Sequence, residues 1–495
     1  MLAMGWQVRQ TAREAERNLQ VKEQLIQLFL QPEDPQFGTG QKPVSEFLDQ
    51  AVVRLQNLPP TSEVRGELAG VIVGIYSQLG QWKSAVSLAE KELGGAPVTA
   101  DTAARADLRL VTGWASANYA LSRVDKISIP LRSAIEHSAD PHSALYLDAL
   151  ITQSSIAIAL GDFSNAVRDG ELAISLMKDR AVSKVNLAHA HMQLAAAYVG
   201  IRQPRKGREQ SELALLAVAG GDSLTHIRAT TMAGLRRALF GEFTSAQIVF
   251  DDGAAQWKRM GLSFPANFES ATYAVNEFDM GNLDQSAATI RDGAIQSRIA
   301  YPTSFESPDW HWLPGEIALH RGNWSEAADQ FAEGTLLAQW GGARYLPMGV
   351  YMLALQSVAL TRDGKLADSQ RALDIVQREV AALPHADFAT SMTLAAKAML
   401  LSHQKHHREA LQTFDKAFAE LEAGRMLPAV LEDQLRENRD ALRFRVWKAQ
   451  AQIDAGDPPG ATATASVAHQ LGLATLGANH PFMHELSAVE KQLRN

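Results

Sequence analysis

The sequence predicts an all-α fold: a right-handed superhelical solenoid of about ten stacked helix pairs with a period near 40 residues. Three observations predict it. A short signature, Gly-x-aromatic-x-x-Ala, recurs along the chain between Ala- and Leu-rich segments of helical periodicity. Strand signals are missing, with neither period-2 runs nor Asn-Gly hairpins. The chain of 495 residues is also longer than one compact core usually organises, so a repeat array or several domains must share it.

The signature reads GQWKSA from Gly80, GDFSNA from Gly161, GEFTSA from Gly241 and GNWSEA from Gly322. Weaker copies begin at Gly281, Gly364 and Gly456, and copies without the glycine sit near Arg123, Arg202 and Lys405. Successive marks lie 38 to 43 residues apart, except for a last step of 51 that coincides with the helical pattern LEDQLRENRDALRFRVWKAQAQIDAG. Each residue type has a physical reason. Glycine ends the first helix, where a left-handed backbone is cheap only without a Cβ. Asp, Asn or Ser just after it can cap the second helix. The aromatic is expected to fill the gap between the two helices. The alanine, five residues past each glycine (Ala85, Ala166, Ala246, Ala327), lets them approach where they cross. No pair can bury its apolar face alone, so pairs must stack.

This pattern resembles the tetratricopeptide repeat, whose usual period is 34 residues. The helices here are accordingly expected to be longer by one to two turns per pair, roughly. The longer period resembles that of the sensor arms of large LuxR-type regulators. The array is expected over 61–475, preceded by a segment 1–60 of a long helix, a loop and a capping helix, and closed by a capping helix in 476–495. Trp6 to Leu30 reads as one charged amphipathic helix, followed by the turn-rich QPEDPQFGTGQKP and then VSEFLDQAVVRLQNLP. With Trp6, Gln7, Arg9, Arg13, Arg17, Phe29, Asp34, Pro35, Gly40, Leu48 and Asp49, this order resembles the repeat region of bacterial membrane-anchored serine/threonine kinases. LGANHPFMHEL, with Gly477, His480 and Pro481, resembles the closing repeats of such proteins. The resemblance implies a sensor or docking region without its kinase, since no Gly-rich phosphate loop, His-Arg-Asp or Asp-Phe-Gly is present. It also implies a membrane anchor upstream of Met1. Under that implication the chain is extracytoplasmic, and with Met1 as the natural start it is cytoplasmic.

Composition narrows the chemistry. Lys and Arg number 47 against 55 Asp and Glu, a net charge of −8, so no basic excess points to nucleic acid. With no cysteine, disulfides, thiolate metal sites and thiol nucleophiles are excluded. MLAMGW does not read as a secretory signal, and no run approaches the roughly 18–20 apolar residues of a membrane span.

HExxH, GxSxG and GxGxxG are absent, and GTGQK at 38–42 lacks P-loop spacing. The expectation is a non-enzyme without cofactors that binds protein or peptide partners along a concave face. The alternative is a regulatory module for a small-molecule or peptide effector, controlling a kinase or transcription factor. The densest aromatic cluster runs from Tyr301 to Tyr345. Trp310 and Trp312 are two apart, so one helix cannot point both the same way, and at least one is expected to be available to a partner. Together with Tyr345 and Tyr351 they form the expected partner-binding site, beside Gly341 and Gly342. His403 and His407 are four apart, the spacing of a two-histidine metal site on a continuous helix, but they fall at an expected turn and no carboxylate triad accompanies them. Arg202, Arg205, Lys206 and Arg208 crowd one loop, where a solvated turn competes with a phosphate or acidic-peptide site.

Overall fold

The computed structural model describes residues 44–59, 63–78, 81–95, 97–121, 123–141, 143–178, 184–219, 224–259, 268–300, 306–340, 346–383, 387–423 and 438–494. The described residues are almost all helical and contain no strand. None of their helices is long and apolar enough to cross a membrane. The chain divides into two compact units, one up to Ala157 and one from Ile158.

The first unit carries α1 (Val44–Gln56), α2 (Glu63–Gln78), α3 (Trp82–Glu92), α4 (Ala100–Ala104), α5 (Leu108–Ala120), α6 (Ser128–Glu136) and most of α7 (Ala144–Ala159). Its core includes Leu48, Leu55, Leu68, Ile72 and Trp114. Arg65 clamps Glu92 through two hydrogen bonds of 2.6 and 2.9 Å. The Tyr76 hydroxyl donates to Asp49 at 2.8 Å. Of the residues carrying the N-terminal kinase resemblance, only Leu48 and Asp49 fall within the described residues.

The second unit is a run of helix pairs: α8 (Phe163–Met177), α9 (Lys184–Gly200), α10 (Pro204–Ala217), α11 (Leu224–Leu239), α12 (Phe243–Arg259), α13 (Phe268–Asp279), α14 (Leu283–Ala300), α15 (Asp309–His320) and α16 (Trp324–Trp340). It continues with α17 (Leu346–Arg362), α18 (Leu366–Ala381), α19 (Asp387–His403), α20 (His407–Ala423), α21 (Asn438–Asp454), α22 (Pro458–Thr475) and α23 (Pro481–Arg494). Helices within a pair pack together, and first helices α9, α11, α13 and α15, then α17, α19 and α21, touch in sequence. That is the stacking of a tetratricopeptide-like solenoid.

The signature residues do the work expected of them, with two differences. The glycines at 161, 241, 281, 322, 364 and 456 all take φ between 75° and 86°. Arg202 (62°) and Lys405 (69°) hold the same left-handed turn without being glycine. Arg123 does not; its φ is −94° and a 3-10 turn follows. Asp162 and Asp457 cap α8 and α22 through their side chains.

The residue five past each turn is small and buried to 0%: Ala85, Ala166, Ala246, Ala327, Ala410 and Ala461, with Ser286 and Ser369. The serines show why. Ser286 donates to the Ala274 carbonyl at 2.7 Å and Ser369 to the Ser357 carbonyl at 3.0 Å, each twelve residues earlier on the first helix. A Cβ on Gly207 would stand 2.8 Å from the Ala195 carbonyl at that same offset. The second helix thus rests on the backbone of the first, and only a small side chain fits. Four residues further on, Phe250, Phe331 and Phe414 are fully buried.

The aromatic after the glycine differs from expectation: it packs toward the next pair. A Cβ on Gly200, which ends α9, would strike Phe163 of the preceding pair. Likewise the Arg362 guanidinium ending α17 lies 5.1 Å from the Trp324 ring centre.

Candidate functional site: the inner network of the second unit

Four first helices of the second unit, α13, α15, α17 and α21, meet through side chains, although α21 is not next to the other three in the order of pairs. From α15 come Trp312, Glu316 and His320; from α13, Phe278 and Asp279; from α17, Tyr351 and Arg362; from α21, Arg439, Asp440, Arg443 and Trp447. His480 and α23 complete the arrangement with Phe482 and Glu485. Contacts between residues more than 80 apart in sequence mark this as the face that the first helices turn toward one another.

Arg443 is its centre, with a side chain 0% exposed. Its Nη2 donates to both oxygens of Glu316 at 2.8 and 2.7 Å, and its Nη1 donates to the Tyr351 hydroxyl at 3.2 Å. Tyr351 in turn donates to Asp440 at 3.0 Å. Burial, reinforced by the Asp440 carboxylate, pushes the Tyr351 phenol well above its ordinary value, so it stays a donor. The Arg443 guanidinium stands 4.5 Å from the Phe482 ring centre and 5.7 Å from that of Trp447. Arg439 lies over Trp312 at 5.2 Å and pairs with Asp279 at 3.5 Å.

His480 is fully buried between Asp279 and the start of α23. Its Nε2 lies 3.2 Å from Asp279 and its Nδ1 accepts the Phe482 N–H at 3.2 Å, which assigns the Nε2–H tautomer. Burial lowers its pKa more than the Asp279 bond raises it. Burial also pushes His320 down to about 3, so this ring is neutral beside Glu485, 3.3 Å away. Burial would push Glu485 up, but the nearby charges, led by the Arg362 guanidinium at 3.4 Å, hold it below its ordinary range. The result is a water-poor lining of three guanidiniums and four carboxylates, interleaved with rings.

Of the expected site residues, Trp312 and Tyr351 belong to this network. Trp310 does not. It lies on the side of α15 toward α14, close enough for a Cβ on Gly293 to sit 3.3 Å from its ring. Both tryptophans are buried, at 6% and 8% exposure, so neither is the free surface anchor expected from their spacing. A first helix in a stack is covered on several sides, and two residues pointing apart can both be interior. Tyr345, with Gly341 and Gly342, lies outside the described residues. His403 ends α19 and His407 begins α20, on either side of left-handed Lys405, so no continuous helix aligns them. His403 Nδ1 meets the Met399 carbonyl at 3.0 Å. Among the described residues no group of three or more His, Asp or Glu could hold a metal. The basic loop is also engaged: Arg208 pairs with Glu242 at 2.6 Å, Lys206 sits 5.2 Å over Tyr198, and Arg202 donates to the Ala423 carbonyl at 3.1 Å.

The reading from sequence missed Glu316, Arg439, Arg443, His480 and Glu485 as a set. The signal for two of them was there. Glu316 interrupts the apolar LPGEIAL and Arg443 interrupts ALRFRVW, and a buried charge must find a partner.

Fold and lining together define a helical-repeat protein of the tetratricopeptide kind whose second unit turns charges and rings inward. No family model and no curated protein matches the chain. Among solved structures it is similar to a Rap protein complexed with Competence and Sporulation Factor (11% identity, TM-score 0.42, covering 88% of this chain and 99% of that one). It is also similar to yeast Tom70 (12%, 0.35, 91% and 94%). A tetratricopeptide repeat protein from Parabacteroides merdae is similar too (15%, 0.37, 59% and 98%).

Proposed function

We propose that the chain is a non-catalytic interaction module that binds a protein or peptide segment along the inward-facing first helices of its second unit. The observation that carries this reading is the chemistry of that face. A stack held together only as a scaffold needs apolar contacts between its helices, which the small-residue crossings and buried phenylalanines already supply. The inner face adds Trp312, Tyr351 and Arg443, side chains of the kind that anchors interfaces, together with the carboxylates Glu316 and Asp440 that orient them. The narrower reading, as the repeat region of a membrane-anchored kinase, rests on residues between Trp6 and Asp49 and on Gly477, His480 and Pro481, and is tested by the coding sequence upstream of Met1.

The test is to select phage-displayed peptides on the full chain and map their binding by hydrogen exchange. Protection is expected along α13, α15, α17 and α21. Protection confined to second helices, or no selectable peptide at all, refutes the proposal.

A further inference from the structure

The network described above is only partly made by the stack. Its remaining part comes from the chain's own last residues, which cross the inner face. Thr475 and Asn479 lay their carbonyls against the turns at Gly241 and Gly281, where an added Cβ would stand 2.5 and 2.3 Å from them. His480 reaches Asp279, 201 residues away. Phe482, 1% exposed, lies 4.6 Å from the His320 ring and under the Arg443 guanidinium. Glu485 stands between Arg362 and His320. The segment thus touches the turns at Gly241 and Gly281 and the first helices α13, α15 and α17, besides the α21 and α22 it follows in the chain.

We propose that residues 475–494 are an exchangeable internal ligand of this face, and that the partner is a peptide segment presenting an aromatic ring and a carboxylate three residues apart on a helix, as Phe482 and Glu485 do. The inference rests on the interaction reading above and adds the partner's chemistry and its competition with the chain's own end.

Three features support exchange over permanent capping. Helix α23 is joined to α22 through Gly477, whose left-handed φ of 81° ends α22 and makes α23 a separate helix and not its continuation. The segment's polar contacts with the far wall are directed: the neutral His480 ring donates to Asp279, and Glu485 forms an ion pair with Arg362. Buried ion pairs contribute little net stability but select sharply for geometry. And α23 has the form of a groove-bound helix, with Phe482, Leu486 and Val489 buried at i, i+4 and i+7 and Lys491 and Arg494 in its last turn. A free segment with the same ring and carboxylate meets the same Arg443, His320 and Arg362. It must outcompete a tethered copy whose effective concentration is on the order of millimolar.

The experiment uses the full chain, wild type and Phe482→Ala/Glu485→Gln, with a fluorescein-labelled synthetic peptide of residues 475–494 followed by anisotropy. The weakened chain is expected to bind the peptide at least about tenfold more tightly than the wild type, because its own segment competes less well. A peptide carrying the same two substitutions is expected to bind neither chain. Equal affinity for both chains, or no binding to a folded double variant, overturns the proposal. So does loss of cooperative melting in the double variant, because the segment is then part of the core. The selected phage peptides separate the two readings. If they protect the inner first helices but bind wild type and double variant equally, this inference fails and the interaction reading stands. If none binds either chain, the interaction reading itself fails.

Discussion

Removing Arg443 should be among the most damaging single changes in the second unit, and removing Glu316 with it should repair most of the damage. The two groups are 0% and 1% exposed and 2.7 Å apart. With an effective dielectric constant of about 20, unit charges at that distance attract by roughly 6 kcal/mol. Several kcal/mol of lost hydration per ion offset this, so the pair as a whole contributes little. Arg443→Met keeps most of the side-chain volume but leaves the Glu316 carboxylate dry and unpaired. It also removes the donor to Tyr351 and the cation between Phe482 and Trp447. Breaking one side of such a pair costs about 3–5 kcal/mol. Glu316→Leu/Arg443→Met should lie within about 1.5 kcal/mol of wild type, a coupling of about 2 kcal/mol or more. Equilibrium urea unfolding by far-ultraviolet circular dichroism measures all three chains. If Arg443→Met costs less than about 1 kcal/mol, or the double variant is as unstable as the single, the network is not the closed electrostatic unit described above.

Three further outcomes are expected. Lys405→Gly should stabilise the chain by about 1 kcal/mol, because an exposed lysine now holds a φ of 69° that glycine adopts freely; an unchanged or lower urea midpoint contradicts this. Trp310→Ala should cost about 3–5 kcal/mol and Trp340→Ala, 77% exposed, under about 0.5, both read as midpoint shifts; comparable losses at the two sites would contradict the burial difference. Acid should loosen the inner face. His320 and His480 have folded pKa values lowered by burial, so below the ordinary value of 6.5 the unfolded chain binds protons that the folded chain refuses. Stability therefore falls as pH drops from 6.5 toward about 3, the folded value of His320, by up to about 1.4 kcal/mol per pH unit for that ring, and His480 adds to the fall below 6.5. Melting temperature against pH should have a shallower slope in His320→Gln/His480→Asn, and an identical slope refutes the assignment.

The array was legible because its rules are local. A helix end needs a left-handed residue and a crossing needs a small one, so glycine and alanine at a fixed offset announce each pair. The same logic carried through the copies lacking glycine, where Arg202 and Lys405 take the turn regardless. It failed at Arg123, whose surroundings adopt a 3-10 turn instead. The inner network was not legible as a set because its partners are separated by many pairs. Glu316 and Arg443 are 127 residues apart, and no period relates them. Only the stacking of the first helices decides which charges face one another. Trp310 and Trp312 show the other limit. Spacing of two correctly said that the rings diverge, but divergence implies exposure only on a helix with a free side.

The two layers of the second unit use different physics and so answer to different perturbations. At the crossings a serine bonded to a carbonyl, or a buried alanine at the same offset, sets the spacing of a pair. Such contacts are short in sequence and repeat from pair to pair, so a fault in one stays near its site. The inner face instead ties α13, α15, α17 and α21 to residues at the end of the chain through groups that are costly to bury singly. Loss of Glu485 or Arg443 therefore acts on helices far away along the sequence. A ligand that supplies its own ring and carboxylate to Arg443 and Arg362 can replace those contacts without disturbing a single crossing. Under the proposed exchange, that separation would let the repeat array keep its crossings while residues 475–494 leave the inner face, so stability and peptide binding should respond together to changes at Phe482 and Glu485.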